Sequence, residues 1–231
     1  MERFFNQDKL IDQKKIGDLS FLVIGTGAIG SWVTVAIAKM GAKKVTAYDD
    51  DVLDTHNFDS QFYPLSSVGQ KKVNALKTLA KDFGDCDLNV IDRRWDTAET
   101  IDADVVLVCV DNMDVRKTIW EHFKNRTQTR FFVEGRMSAQ VYRVYGIQPE
   151  VVQQRDFYET TLYPQSEASP LPCGEKSIIY TVYGVASEMC NQVKQWIMND
   201  YRPTEVQYDH YLRTTVTTYH EQLEGDNGIK I

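Results

Sequence analysis

No stretch of the 231-residue chain offers the roughly 18 consecutive apolar residues that a membrane-spanning helix needs. The first residues also lack the basic-then-apolar order of a secretory leader. The expectation is therefore a cytoplasmic protein with no membrane partner. Cysteines are few and scattered: Cys86, Cys109, Cys173 and Cys190 form no C-x-x-C pair. That spacing predicts neither a four-ligand zinc site nor a disulfide framework, so no zinc is expected. The four histidines, His56, His122, His210 and His220, show no metal-ligand spacing. Excess positive charge is missing as well. The formal net charge is −7, which argues against a nucleic-acid partner, because such affinity rests on Lys and Arg neutralising phosphates.

What is present is an ordinary globular composition, 42% hydrophobic and 26% charged, enough to bury one full core. Residues 3–15 have helical composition and read as an arm. Ser20 to Ile24 is a short apolar run suited to a buried parallel strand, and Ala28 to Met40 reads as a helix stopped by Gly41. Lys44 to Tyr48 is a second strand. A helix over Val68 to Phe83, a strand near Leu88 to Ile91, a central strand Asp104 to Val110, a helix Val115 to Asn125 and a strand Phe131 to Glu134 follow. Strand, glycine loop, helix and strand in succession form a right-handed βαβ unit. From Gln140 the pattern alternates polar with β-forming residues, as in a strand with one exposed face. Glu150 to Cys173 is polar, holds Pro164, Pro170 and Pro172, and reads as one long mobile loop. Ile178 to Ile197 is a helix, and Gln207–Tyr211 and Thr214–Tyr219 a terminal strand pair.

The fold class predicted is α/β: a Rossmann-like, doubly wound, mostly parallel sheet with a smaller mixed or antiparallel C-terminal part. The chain divides into an arm (1–19), a nucleotide-binding half (20–135), a mixed half (136–223) containing loop 150–173, and a flexible tail (224–231).

The segment Gly25-Thr-Gly27-Ala-Ile-Gly30 is a G-x-G-x-x-G loop between a strand and a helix. Its glycines, with Ala28 and Ile29, allow backbone N–H groups to approach a phosphate at the positive end of the helix. Taken alone the motif is weak; this context favours nucleotide binding over glycines used only for packing. Asp49, at the end of the second strand, can accept a ribose hydroxyl of either NAD or ATP, so it does not separate them. A Walker-type phosphate loop is absent.

Five features occur in order: the glycine loop, Asp49-Asp50-Asp51, Asn57, Gly69-Gln70-Lys71-Lys72, and Cys109-Val-Asp111-Asn112 with Arg116. In that combination the chain resembles the ThiF/MoeB family and the ubiquitin-activating enzymes that share its adenylation fold. Arg136-Met137 and Cys173-Gly-Glu-Lys-Ser177 look most like short phage- and plasmid-associated ThiF-like proteins. The resemblance implies ATP and Mg²⁺, a homodimer, and adenylation of a carboxylate. It also implies the partner, a small ubiquitin-like or sulfur-carrier protein with a free C-terminal carboxylate. Lys72 would offset charge on the α-phosphate; its bland alternative is a solvated lysine at a helix start. Asp111 would hold Mg²⁺; its alternative is a helix N-cap. Asn57 would bind phosphate or ribose oxygen through its amide, with Asp51, Gln61 and Asn112 completing the nucleotide set.

The chain departs from the family twice. Asn6 and Ser60 stand where the family carries arginines toward the outer phosphates, which implies weakened activity unless other cations, Arg3 and Arg136 foremost, compensate. The resemblance implies a thiol that accepts an acyl group after adenylation, and Cys173 is the candidate, with a purely structural role equally open. The remaining alternatives are a nucleotide-binding scaffold that has lost catalysis, adenylation of a small carboxylic acid, and an NAD-dependent oxidoreductase.

Overall fold

The computed structural model describes residues 4–168 and 178–221. Six α-helices and eight strands occur among these residues, in the order α1 (Gln13–Asp18), β1 (Ser20–Ile24), α2 (Ala28–Met40), β2 (Lys44–Tyr48), α3 (Lys72–Gly84) and β3 (Asn89–Ile91). They continue with β4 (Val105–Val108), α4 (Met113–Phe123), β5 (Phe131–Ser138), β6 (Val141–Ile147), α5 (Val152–Thr160), α6 (Ile179–Met198), β7 (Glu205–Asp209) and β8 (Thr214–Thr218). One eight-stranded sheet runs β3-β2-β1-β4-β5-β6-β7-β8. Strands β1 to β5 pair in parallel, and β6 to β8 continue antiparallel.

The strands read as unbroken apolar runs because both faces of the parallel part are covered. Phe21, Val23, Val105, Leu107, Phe131 and Val133 face a core closed by α2, α3 and α6. Leu22, Ile24, Val106, Val108 and Phe132 face a second core with Ile119, Trp120 and Phe123 of α4 and Tyr158 of α5. The period-2 alternation of side chains divides each strand between the two cores. Truncating Leu107 to alanine would cost about 2–5 kcal/mol.

The chain passes from β1 outward to β2 and β3, then returns to place β4 on the other side of β1. This reversal opens the crevice at the carboxyl ends of β1 and β4 where such sheets bind ligands.

Local differences from the sequence reading have tertiary causes. The arm is a set of turns over residues 4–10 followed by a six-residue α1, begun at Asp12, whose side chain accepts from the N–H groups of Lys14 and Lys15 at 3.0 and 2.9 Å. Helix α3 starts at Lys72 rather than Val68, because Gly69 has φ +82° and Lys71 bridges antiparallel to Val52. The stretch read as one loop from Glu150 holds α5, tied to α4 by Trp120 Nε1 donating to Glu159 at 3.0 Å. No helix among the described residues is long and apolar enough to cross a membrane.

Candidate active site

The glycine loop is shaped from three sides. Gly25 has φ +88° and its N–H reaches the Tyr48 carbonyl at 3.0 Å, while Thr26 N–H donates to Asp49 Oδ2 at 2.7 Å. Tyr63, whose burial raises its pKa and keeps the hydroxyl protonated, donates to the Thr26 carbonyl at 2.7 Å. A Cβ on Gly30 would sit 1.9 Å from the Gly25 carbonyl oxygen, so only glycine lets the turn fold back on the helix. Gly27 is the N-cap of α2, and no side chain caps the first turn. Thr26 Oγ1 and Gln61 Oε1 lie buried nearby in the chain's path with no hydrogen-bond partner among the described residues. Orphaned buried polar atoms of this kind call for a ligand or water. The Ile29 side chain itself is core, leaving its main chain for the loop.

Asp49 spends its other oxygen on the Asp51 N–H, at 2.9 Å. The three aspartates bring carboxylate oxygens within 4.8 Å of one another, yet each is already engaged. Asp50 pairs with Arg94 at 3.0 Å and Asp51 with Lys72 at 2.7 Å. Lys72 is 5% exposed at the first position of α3, so its ammonium is held against Asp51 and is not a solvated surface charge. Lys71 Nζ donates to the Asp50 carbonyl at 2.9 Å and pairs with Asp92 at 3.0 Å.

Asp111 stands three residues beyond Val108 at the carboxyl end of β4, exposed, with no hydrogen bond or ion pair to the described residues. The helix cap is its neighbour: Asn112 Oδ1 accepts from Asp114 and Val115 N–H groups at 2.9 and 3.1 Å. Only the amide NH₂ of Asn112 is left for a ligand. Asn57 is similar, since its Oδ1 closes a capping box by accepting from Asp54 N–H at 2.9 Å.

Both positions expected to differ from the family, 60 and 6, lie among the described residues. Ser60 is buried, its carbonyl taking the Trp32 indole N–H at 3.0 Å. Asn6 is exposed in a segment whose Gln7 side chain bonds the Lys39 carbonyl at 2.9 Å, at the far end of α2 from the glycine loop. Arg136 does not fill the gap: it is committed to Glu134 at 2.6 Å and to the Thr161 carbonyl at 2.9 Å. Arg3 and Cys173 lie outside the described residues. Cys109 and Cys190 are buried thiols whose pKa values burial raises, the latter to about 12, which suits packing and not nucleophilic attack. Cys86 is buried too.

Sequence reasoning missed Glu134. It is fully buried, bonded by Arg116, Arg136 and Tyr158. Burial pushes its pKa up, but Arg116 and then Arg136 outweigh that and hold it at about 2. The available signal was Glu134-Gly-Arg136 in a strand, which puts both charges on one face.

A parallel sheet with a topological switch, a glycine loop opening an uncapped helix and a polar corner at the end of β4 define a Rossmann-like fold. A ThiF family model matches residues 2–223, and the chain belongs to that family. It is similar to tRNA threonylcarbamoyladenosine dehydratase 2 of Saccharomyces cerevisiae, 24% identical over 131 residues, 53% of this chain and 29% of that protein. It is also similar to ubiquitin-like modifier-activating enzyme 5 of Caenorhabditis briggsae (27% over 124 residues, 47% of this chain and 29% of that one). The probable molybdopterin-synthase adenylyltransferase of Porphyra purpurea is 26% identical over 119 residues, 49% of this chain and 31% of that one. This chain thus spans about a third of the length of these relatives. Among solved structures, Escherichia coli MccB with ATP superposes with TM-score 0.75 at 13% identity, covering 94% of this chain and 71% of that one.

Proposed function

We propose that the chain is an ATP-dependent adenylyltransferase that activates a carboxylate. The observation that carries the reading is the start of α2: an uncapped helix terminus after a glycine loop with the orphaned Thr26 hydroxyl in it, tied through Asp49 and Asp51 to the buried Lys72 ammonium. Its N–H groups and positive dipole end receive the phosphates. Asp49 and Asn57 address the ribose and phosphate oxygens, and Gln61 supplies an acceptor. A carboxylate oxygen of the substrate bonds to the α-phosphorus as the bond to the bridging oxygen breaks. Pyrophosphate leaves with that electron pair, and no proton moves. Lys72 offsets the charge that builds on the α-phosphate. Asp111, with an open carboxylate at the carboxyl end of β4, fits Mg²⁺, with Asp51 the nearest alternative once Lys72 turns to phosphate. When bound, the ion screens the phosphate charge from the incoming carboxylate.

The substrate we favour is the C-terminal carboxylate of a small ubiquitin-like or sulfur-carrier protein, in the cytoplasm. Relatives named ubiquitin-like modifier-activating enzyme and molybdopterin-synthase adenylyltransferase support it. Cys173 is proposed as the acyl acceptor after adenylation. A homodimer is proposed on one geometric ground. The arm is bonded to the far end of the 13-residue α2, ~20 Å from its own glycine loop at 1.5 Å per residue, so any contribution it makes is to another copy's site.

A second reading, a nucleotide-binding scaffold, is favoured by Ser60, which leaves no cation where the family arginine acts. Pyrophosphate exchange into ATP, measured with a synthetic peptide ending in Gly-Gly and with candidate carrier proteins, decides between them. Exchange that depends on the carboxylate supports the enzyme; tight ATP binding with no exchange against any carboxylate leaves the scaffold. Tight NAD binding without ATP binding would remove both.

A further inference from the structure

Under the crevice, on the face covered by α4 and α5, two buried charged side chains, Glu134 and Arg116, meet the half-buried Arg136. Glu134, fully buried on β5, takes both Nε and Nη2 of Arg136, at 2.6 and 2.9 Å. It is also bonded by Arg116 of α4 and by the Tyr158 hydroxyl of α5. Arg116, 5% exposed, spends its remaining reach on main chain: it donates to the Gly135 carbonyl at 2.9 Å and to the Val110 carbonyl. Val110 is the residue before Asp111. Arg136 reaches the other way, to the Thr161 carbonyl at 2.9 Å and Thr161 Oγ1 at 3.1 Å, with its guanidinium over the Tyr145 ring at 4.5 Å. From Thr161 the chain runs to Gln165, whose Oε1 accepts from Met113 N–H at 2.7 Å and whose own N–H donates to Asp114 at 3.1 Å. The circuit closes on both sides of Asp111.

We propose that Glu134 is a positioning residue for the nucleotide site: through Arg116 it sets the Val110–Asp111 corner, and through Arg136 it holds the strap 161–168 whose Gln165 seals the start of α4. The inference rests on the proposed function for the role of Asp111. Stability alone is a poor reason for such a cluster, because a buried ion pair often contributes no more than apolar residues of the same volume. The donors here are also aimed at backbone carbonyls at the ligand edge, where a planar fork holds position better than an ammonium. A chain without the two family arginines depends more heavily on the groups that remain, so a corner locked in place has a clear use.

Hydrogen exchange followed by mass spectrometry, with and without saturating Mg²⁺–ATP, tests this on the intact protein. In the wild type, ATP should slow exchange at 25–31 and at 109–115. In Glu134→Gln, and in Arg116→Lys, which keeps the charge but loses the fork, protection should persist at 25–31 and fall at least tenfold at 109–115. Gln165→Ala, on the partly exposed strap, should show the same selective loss at about threefold and serves if the core variants do not fold. Full ATP protection at 109–115 in the folded variants overturns the positioning role and leaves the nucleotide reading intact. No ATP protection anywhere in the wild type overturns the proposed function, and this inference with it.

Discussion

Two helices begin at the same carboxyl edge of the sheet, and their first turns are treated in opposite ways. At α4 every early N–H has a partner from the chain: Gln165 takes Met113, and Asn112 takes Asp114 and Val115. At α2 no side chain caps the turn, and glycines stand on both sides of Thr26 in the preceding loop. Both termini carry the same partial positive charge. Capping α4 removes it as a competing anion site and fixes its loop. Leaving α2 open costs helix stability and leaves its first N–H groups without a side-chain cap.

The strongest way to break the comparison is to cap α2 as α4 is capped. A Cβ built on Gly27 meets no atom within 4 Å, so the side chain of Gly27→Asp has room beside the first turn. The new carboxylate should stabilise the helix by a few tenths of a kcal/mol while abolishing ATP binding. Calorimetric titration together with a melting curve reads both signs; undiminished ATP binding would remove α2 as the phosphate site.

Next in size is Lys72→Ala, which leaves both helix starts alone and removes the cation held against Asp51. Carboxylate-dependent pyrophosphate exchange should fall ~100-fold or more. Cys173→Ala should leave that exchange nearly unchanged and abolish any thiol-sensitive adduct with the carrier. Normal exchange by Lys72→Ala would contradict the charge-offset mechanism.

The sealed side has a pH signature. Glu134 is held at about 2 in the folded state, below the unfolded carboxylate value near 4.3. A depressed pKa contributes stability that is fully present above the unfolded value and is lost as pH falls through the folded one. The melting temperature should therefore drop between about pH 4.5 and 2, and Glu134→Gln should flatten that slope. An unchanged slope would place the acid sensitivity elsewhere.

The smallest effect is expected from Asn112→Ala. Loss of the cap should cost about 1 kcal/mol of stability, with ATP affinity changed no more than ~threefold because the α2 donors are untouched. A large loss of ATP affinity at constant stability would assign the Asn112 amide to the ligand.

Much of this architecture was legible from short-range pattern. Strands β1 and β2 and helix α2 fall where apolar runs and the glycine stop place them, because both strand faces are buried and Gly41 takes a left-handed φ of +119°. The stretch after Glu150 was harder. Its polarity and prolines resemble a loop, but Tyr158 is fully buried against Trp120 and Phe132, and that packing stabilises a short helix of weak local preference. Among the candidate site residues, the positions of Lys72 at the start of α3 and Asp111 past the end of β4 follow from the local pattern. The choice of Asn112 over Asp111 as the α4 cap does not, because either side chain can fill that role.

Local sequence alone determined the glycine loop, the uncapped start of α2, the alternation that assigns each strand residue to one of two cores, and the absence of arginine at positions 6 and 60. Those properties depend on backbone freedom and side-chain type within a few residues. Tertiary structure alone decided which charges meet. Glu134, Arg116, Arg136 and Thr161 are brought together by β5, α4 and α5, and a carboxylate can stay ionised at zero exposure only where two guanidinium groups from separate positions converge on it.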